Sequence, residues 1–175
     1  MRKQRKEKKQ IILSIFLIFG FIAYARKKEN NNNHLNQNTM LGEIVSNQKI
    51  RKCDQKGCGH FGAKRGKRKH QGIDIITVPK EAIYSPISGS VRKLIVYPNQ
   101  NEMIGVEISN EQYKVKLFYV ASKLKTNDFI QKGEYLGEAQ DIAKYWNAQG
   151  KMINHVHIEV REKGKLIDPT NLLIV

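Results

Sequence analysis

Two short motifs near opposite ends of the chain, His70-Gln71-Gly72-Ile73-Asp74 and His155-Val156-His157, restrict what this sequence can fold into. Both read as extended segments, and in a strand the residues i, i+2 and i+4 point to one face. His70 and Asp74 then look the same way, and so do His155 and His157. Two such strands meeting would place four polar groups round one point. Three of them make the usual catalytic zinc shell, with a fourth position open to water. An alternating His-x-His on its own is weak evidence, because many strands carry scattered histidines. Its combination with His-x-Gly-x-Asp is what points to a metal. Nitrogen and carboxylate ligands favour zinc without excluding other divalent ions.

The segments between the motifs set the fold class. Ile73–Val78 runs to Pro79-Lys80, Ala82–Tyr84 to Ser85-Pro86, and Gly89–Val96 to Pro98-Asn99. Gly105–Ile108, Tyr113–Tyr119, Tyr135–Gly137 and His155–Val160 continue the pattern of short strands between turn residues. Lys114–Phe118 alternates cleanly, as a half-buried strand should. Asp141–Trp146 is the one place for a short helix, with Trp146 as a core or groove-wall ring. Short strands at this density, with almost no helix, predict a β-dominated single domain.

Charge and polarity divide the 175-residue chain unevenly. The formal net charge is +15. Residues 1–30 hold nine Lys/Arg against two Glu, an excess of +7. Met1–Gln10 is polar and basic, and Ile11–Phe21 is nearly all apolar, continuing to Ala25. Such a segment reads as an export signal, with Ala23-Tyr24-Ala25 in the small-x-small form of a cleavage site. The alternative is an uncleaved N-terminal anchor engaging a membrane, with the basic end inside and the domain outside. The predicted division is therefore residues 1–25 as signal or anchor, 26–47 as a polar Asn-rich linker, and 48–175 as the folded domain. Lys64-Arg65-Gly66-Lys67-Arg68-Lys69 is the densest basic run. It suits an anionic surface or a solvated loop equally well, and no recognised nucleic-acid module accompanies it, so no specific nucleic-acid partner is expected.

Cys53 and Cys58 are the only cysteines and flank Asp54-Gln55-Lys56-Gly57. In an exported chain this spacing reads as a small disulfide-clamped loop, the alternative being a thiol pair in a metal site.

The order of these motifs resembles a known family. Arg51 to Gly59 (with both cysteines), His70 to Ile75, Tyr84 to Gly89, Val115 to Tyr119, Lys132 to Gly137 and His155 to Glu159 are similar to the leukocyte cell-derived chemotaxin group. That group lies within the lysostaphin/LytM-type zinc metallopeptidase superfamily. The match runs in order from Gln48 to Leu172. It implies a twisted antiparallel β-sheet core with a groove and Zn²⁺ on the groove floor. It assigns His70, Asp74 and His157 as ligands, and Cys53–Cys58 as the disulfide. Active members of the superfamily use the first histidine of His-x-His, here His155, beside the metal. They use a further histidine from a Tyr-x-His element, for which this chain has Tyr119-Val120-Ala121. Alanine neither accepts a proton nor donates a hydrogen bond, and losing a positioned acid or base costs roughly 10²–10⁴ in rate.

Two functions follow. One is an exported zinc endopeptidase acting on peptidoglycan cross-link peptides, with activity reduced by Ala121. The other is a catalytically idle, zinc-stabilised binding protein that recognises a protein, a wall peptide or an anionic ligand. His60 matches no family position, although its loop could bring it toward the groove.

Overall fold

A computed structural model describes residues 41–95, 103–148 and 150–173. The expected signal or anchor and most of the expected linker lie outside these residues. Within them the chain forms β1 (Lys64–Arg65), β2 (Arg68–Lys69), β3 (Ile73–Ile76), β4 (Ala82–Tyr84), β5 (Gly89–Ile95) and β6 (Ile104–Ser109). There follow β7 (Tyr113–Phe118), β8 (Val120–Ala121), β9 (Phe129–Ile130), β10 (Tyr135–Ala139), the short helix α1 (Ile142–Tyr145), β11 (His155–Glu162) and β12 (Lys165–Ile167).

The main sheet runs β12-β11-β7-β6-β5-β9, and β3 pairs with β11 on the edge it shares with β12. A second sheet of order β4-β10-β8 packs with it, and β1 and β2 form a hairpin. All these strand pairings are antiparallel. The sheet stays open, and its open face forms a groove.

The alternation of side chains explains which face does what. On β11, Val156, Ile158 and Val160 are fully buried in the core, which leaves His155, His157 and Glu159 on the opposite face. On β7, Tyr113, Val115 and Leu117 point inward, so Lys116 and Phe118 share the face of Glu159 and His157, their partners across the strand pair. Ile73 and Ile75 of β3 are buried in the same core, and Asp74 between them faces the other way. Apolar burial on one face of the sheet thus fixes a polar row on the other.

Three differences from the sequence reading have physical causes. First, the core reaches back to Leu41, with Ile44 and Val45 also buried in it. Leu41 N–H donates to Leu172 O at 2.9 Å and pairs with Leu173. The boundary predicted at residue 48 is therefore too late, because three apolar anchors sit in a stretch whose composition is otherwise polar. Second, His70 lies before β3 and not within it. The chain bends at Gly72, where a Cβ would collide with the Ile158 carbonyl of β11. Third, the basic run is ordered as the β1–β2 hairpin, turning at Gly66 with φ of 60°.

The helix forms where expected. Asp141 caps it, accepting the Lys144 N–H at 2.9 Å, and Asn154 accepts the Ile142 N–H at 2.9 Å. This places Trp146 beside the groove, about half exposed (45 %).

Candidate metal centre

The register of β3 against β11 puts Asp74 directly opposite His157. His157 Nδ1 lies 2.9 Å from Asp74 Oδ1. His70 reaches the same point from the bend before β3, its Nε2 standing 2.9 Å from His157 Nδ1 and 3.2 Å from Asp74 Oδ1. These three residues form a cluster able to hold a metal ion.

The donor atoms fit zinc. Tetrahedral ligands about 2.0–2.1 Å from a zinc ion are separated from one another by about 3.3 Å, close to the three edges of this triangle. The second nitrogen or oxygen of each of the three residues is also engaged, which would fix the atom that faces an ion. His70 Nδ1–H donates to the His60 carbonyl at 2.8 Å, which leaves its Nε2 lone pair directed at the centre. Asp74 Oδ2 accepts from Arg51 Nη2 at 2.7 Å, leaving Oδ1 for the centre. His157 Nε2 stands 3.5 Å from Glu159 Oε1.

The electrostatics favour an ionised Asp74. Its burial (2 % exposed) would raise its pKa, but the close contacts of the His157 and His70 ring nitrogens and the charges of His155 and His157 more than offset this. The carboxyl is held far below the usual range. Burial pulls His157 down, yet its hydrogen bonds to Asp74 and Glu159 win, and its pKa is raised. For His155, burial dominates over the neighbouring Asp74 charge and the bond to Ile153, and its pKa is lowered.

His155 sits beside the triangle. Its Nδ1–H donates to Ile153 O at 2.7 Å, and its Nε2 is 3.7 Å from Asp74 Oδ2. Tyr119 packs edge-on against this ring, with centroids 5.9 Å apart and planes at 87°. Tyr119 adopts a positive φ of 67° between β7 and β8, a conformation that costs a bulky residue of order 1–3 kcal/mol. The kink interrupts the strand alternation beside the site.

The site opens into a cavity of about 370 Å³ whose lining includes Tyr119, Ile142, Trp146 and Met152 together with the basic residues Lys56, Arg65, Arg68 and Lys69. Trp146 is thus a groove-wall ring. Cys53 and Cys58 form the disulfide. His60 contributes only its backbone carbonyl to the cluster, and its side chain is exposed. Ala121 is exposed and paired with Glu138 of β10. The sequence reading missed Glu159 and Arg51. Glu159 lies two residues after His157, so the strand period would have placed it on the same face. Arg51 carries no such signal, because its buried partners come together only in the folded chain.

Residues 68–169 match the model of peptidase family M23. The chain belongs to this family. Among relatives of the M23 domain, bovine (Bos taurus) leukocyte cell-derived chemotaxin-2 is 34% identical over 127 residues, covering 71% of this chain and 80% of its own. Two solved structures share the M23 fold. Csd3 of Helicobacter pylori superposes with a TM-score of 0.56 at 20% identity, over 78% of this chain and 35% of its own. The antimicrobial peptidase lysostaphin of Staphylococcus simulans gives a TM-score of 0.56 at 12% identity, over 76% of this chain and 53% of its own. The M23 domain described here therefore spans about a third to a half of those two chains.

Proposed function

We propose that this M23 domain is an exported zinc protein that binds extended peptides in its groove and hydrolyses peptidoglycan cross-link peptides slowly. One observation carries the reading: the His70–Asp74–His157 triangle and the His155 ring face the same groove. His70 Nε2, Asp74 Oδ1 and His157 Nδ1 would hold the ion. A zinc ion bound there supplies Lewis acidity toward a peptide carbonyl and toward water.

The chain's own groups then set the rate. With its Nδ1 proton committed to Ile153 O, His155 presents the Nε2 lone pair, which can take a proton from water. Burial favours this neutral imidazole. Tyr119 limits the tilt of the ring. Tyr119 and Trp146 offer walls for a peptide lying along the sheet as an added strand, and the basic rim attracts carboxylates on the ligand. Ala121 stands where the family resemblance puts a second histidine. Its methyl group gives no help to developing charge, a loss of about 10²–10⁴ in rate. Export follows from the basic and apolar residues 1–25.

A second reading, an idle zinc-stabilised binding protein, is favoured by the same Ala121. It is favoured too by similarity over most of the length of a relative named as a chemotaxin. Zinc would there join β3 to β11 and contribute folding free energy.

The deciding experiment incubates zinc-loaded full-length chain with purified peptidoglycan and counts new amino termini, with His155→Ala as control. Slow, chelator-sensitive release that disappears in the control supports the peptidase. Release no greater than that of the control, from fully zinc-loaded protein, sinks it and leaves the binding protein.

A further inference from the structure

Arg51 is a buried cation (3 % exposed) that the chemistry above does not use. Its guanidinium bridges two carboxylates and a carbonyl. Nη1 donates to Asp54 Oδ2 at 2.6 Å and to Gly57 O at 2.8 Å, and Nη2 donates to Asp74 Oδ2 at 2.7 Å. Asp54 and Gly57 both lie inside the loop closed by Cys53–Cys58. They also bond each other reciprocally through their backbones at 3.1 Å.

The chain on either side of this loop grips Asp74 by its main chain. Arg51 N–H donates to Asp74 O at 2.8 Å, and Asp74 N–H donates to Gly59 O at 2.8 Å. Residues just outside the disulfide, one on each side, thus fix the backbone of the ligand while the guanidinium fixes its side chain. A second cation follows the same route. Arg65 Nη2 donates to Cys58 O at 2.6 Å and lies 3.5 Å from Asp74 Oδ2. The loop reaches the other ligand strand too, since Asp54 Oδ2 accepts the Ile153 N–H at 3.0 Å, two residues before β11.

We propose that Arg51, seated in the Cys53–Cys58 loop, is a positioning residue that confines Asp74 to one metal-facing oxygen, so that the disulfide sets metal affinity. The inference rests on the zinc reading of the site. A carboxylate can bind an ion through one oxygen or two. With Oδ2 turned into a short bond to Arg51, only Oδ1 reaches the centre, and the shell keeps its open position. Lysine in place of Arg51 presents a point charge and not a planar fork. It can meet Asp74 or the loop acceptors, but not all of them at once. Opening the disulfide releases Asp54 and Gly57, and Arg51 loses two of its three acceptors.

The test measures zinc affinity of the full-length chain by competition with a chelating dye, for the wild type, Arg51→Met, Arg51→Lys and the Cys53→Ser/Cys58→Ser pair. Arg51→Met is expected to weaken binding about 10–100-fold, the range for loss of a group that orients a ligand. Arg51→Lys should recover part of the loss, and the cysteine pair should weaken binding by less than Arg51→Met. Cobalt substitution adds a readout that a merely structural role would leave alone. Freeing Oδ2 raises the coordination number, and the visible cobalt bands of Arg51→Met should lose intensity relative to wild type. Unchanged affinity and an unchanged cobalt spectrum in folded Arg51→Met would overturn the proposal. If that variant does not fold, the same two null results in the cysteine pair overturn it. A wild-type chain that binds no zinc removes the metal reading itself, and this inference with it.

Discussion

Asp74 and His157 face each other across β3 and β11, and their ligand atoms stand 2.9 Å apart because the antiparallel register pairs these two residues. Two residues far apart in sequence are thereby brought to metal-ligand spacing by strand pairing, with the Asp74 side chain held further by Arg51. The site is a property of the sheet.

This makes loss of one ligand a clean experiment. Asp74→Asn keeps the shape but removes the charge that an imidazole-rich zinc site needs, and His157→Ala removes a donor outright. Each is expected to weaken zinc binding by at least about 100-fold, since a structural or catalytic site rarely holds the ion with two protein ligands. Chelator competition reads the affinity, and far-ultraviolet circular dichroism checks that the strands persist. Near-wild-type affinity in both variants would remove these residues from the shell.

Metal removal should act on stability in proportion to affinity. A ligand that binds only the folded state at 100 times its Kd adds about 2.7 kcal/mol. Zinc here would tie β3 and the bend at His70 to β11, so chelated protein should melt at a lower temperature, and zinc should restore the melt. Identical melting curves with and without chelator would show that the ion is not coupled to folding.

Gly72 sits where the chain bends past β11. A Cβ at this position collides with the Ile158 carbonyl and lies 2.9 Å from His157 Cε1. Gly72→Ala must push either the β3 approach or the His157 ring aside. The expected cost is about 1–3 kcal/mol of stability, as for an overpacked core, together with weaker zinc binding. Thermal melts and the dye assay measure both. A variant unchanged in both would mean that the bend relaxes freely.

What the sequence reveals, and what it hides, follows from the range of the interactions. The alternation in Tyr113–Phe118 and His155–Glu162 is local, so the strands and their polar face were legible. So were the clustering of His70, Asp74 and His157, the cysteine pair and the capped helix after Gln140. The bend at Gly72 was not, because it answers a carbonyl on β11, remote in sequence. Arg51 looks like one more cation in a basic chain, until a carboxylate 23 residues away buries it. Leu41 was hidden in the same manner, since its partners Leu172 and Leu173 lie at the far end of the chain.

Leu41 offers a test of that last point. It is fully buried, and its side chain belongs to the same core as Ile158. Leu41→Ala should therefore cost about 2–5 kcal/mol, the usual range for truncating a buried leucine. A residue in a polar tether would cost next to nothing. Urea denaturation separates the two cases, and a loss below about 0.5 kcal/mol, typical of surface substitutions, would place Leu41 outside the core.

Ala121 offers a gain-of-function test of the proposed peptidase reading. It is exposed and held in register against Glu138, so a larger side chain meets solvent and not a packed core. Ala121→His returns the imidazole that the family resemblance expects after Tyr119, while His155 and the ligand triangle stay in place. If the zinc centre is otherwise competent, peptide hydrolysis should rise by about 10²–10⁴, the usual contribution of a positioned acid or base. The gain should vanish on adding His155→Ala, because the two imidazoles would serve the same bond cleavage. Measuring kcat and KM separately is informative here. A histidine that acts only in the transition state raises kcat and leaves KM nearly unchanged. If zinc-loaded Ala121→His stays inert toward peptidoglycan, the missing histidine is not what limits the site, and a zinc-stabilised binding role becomes the better account of the groove.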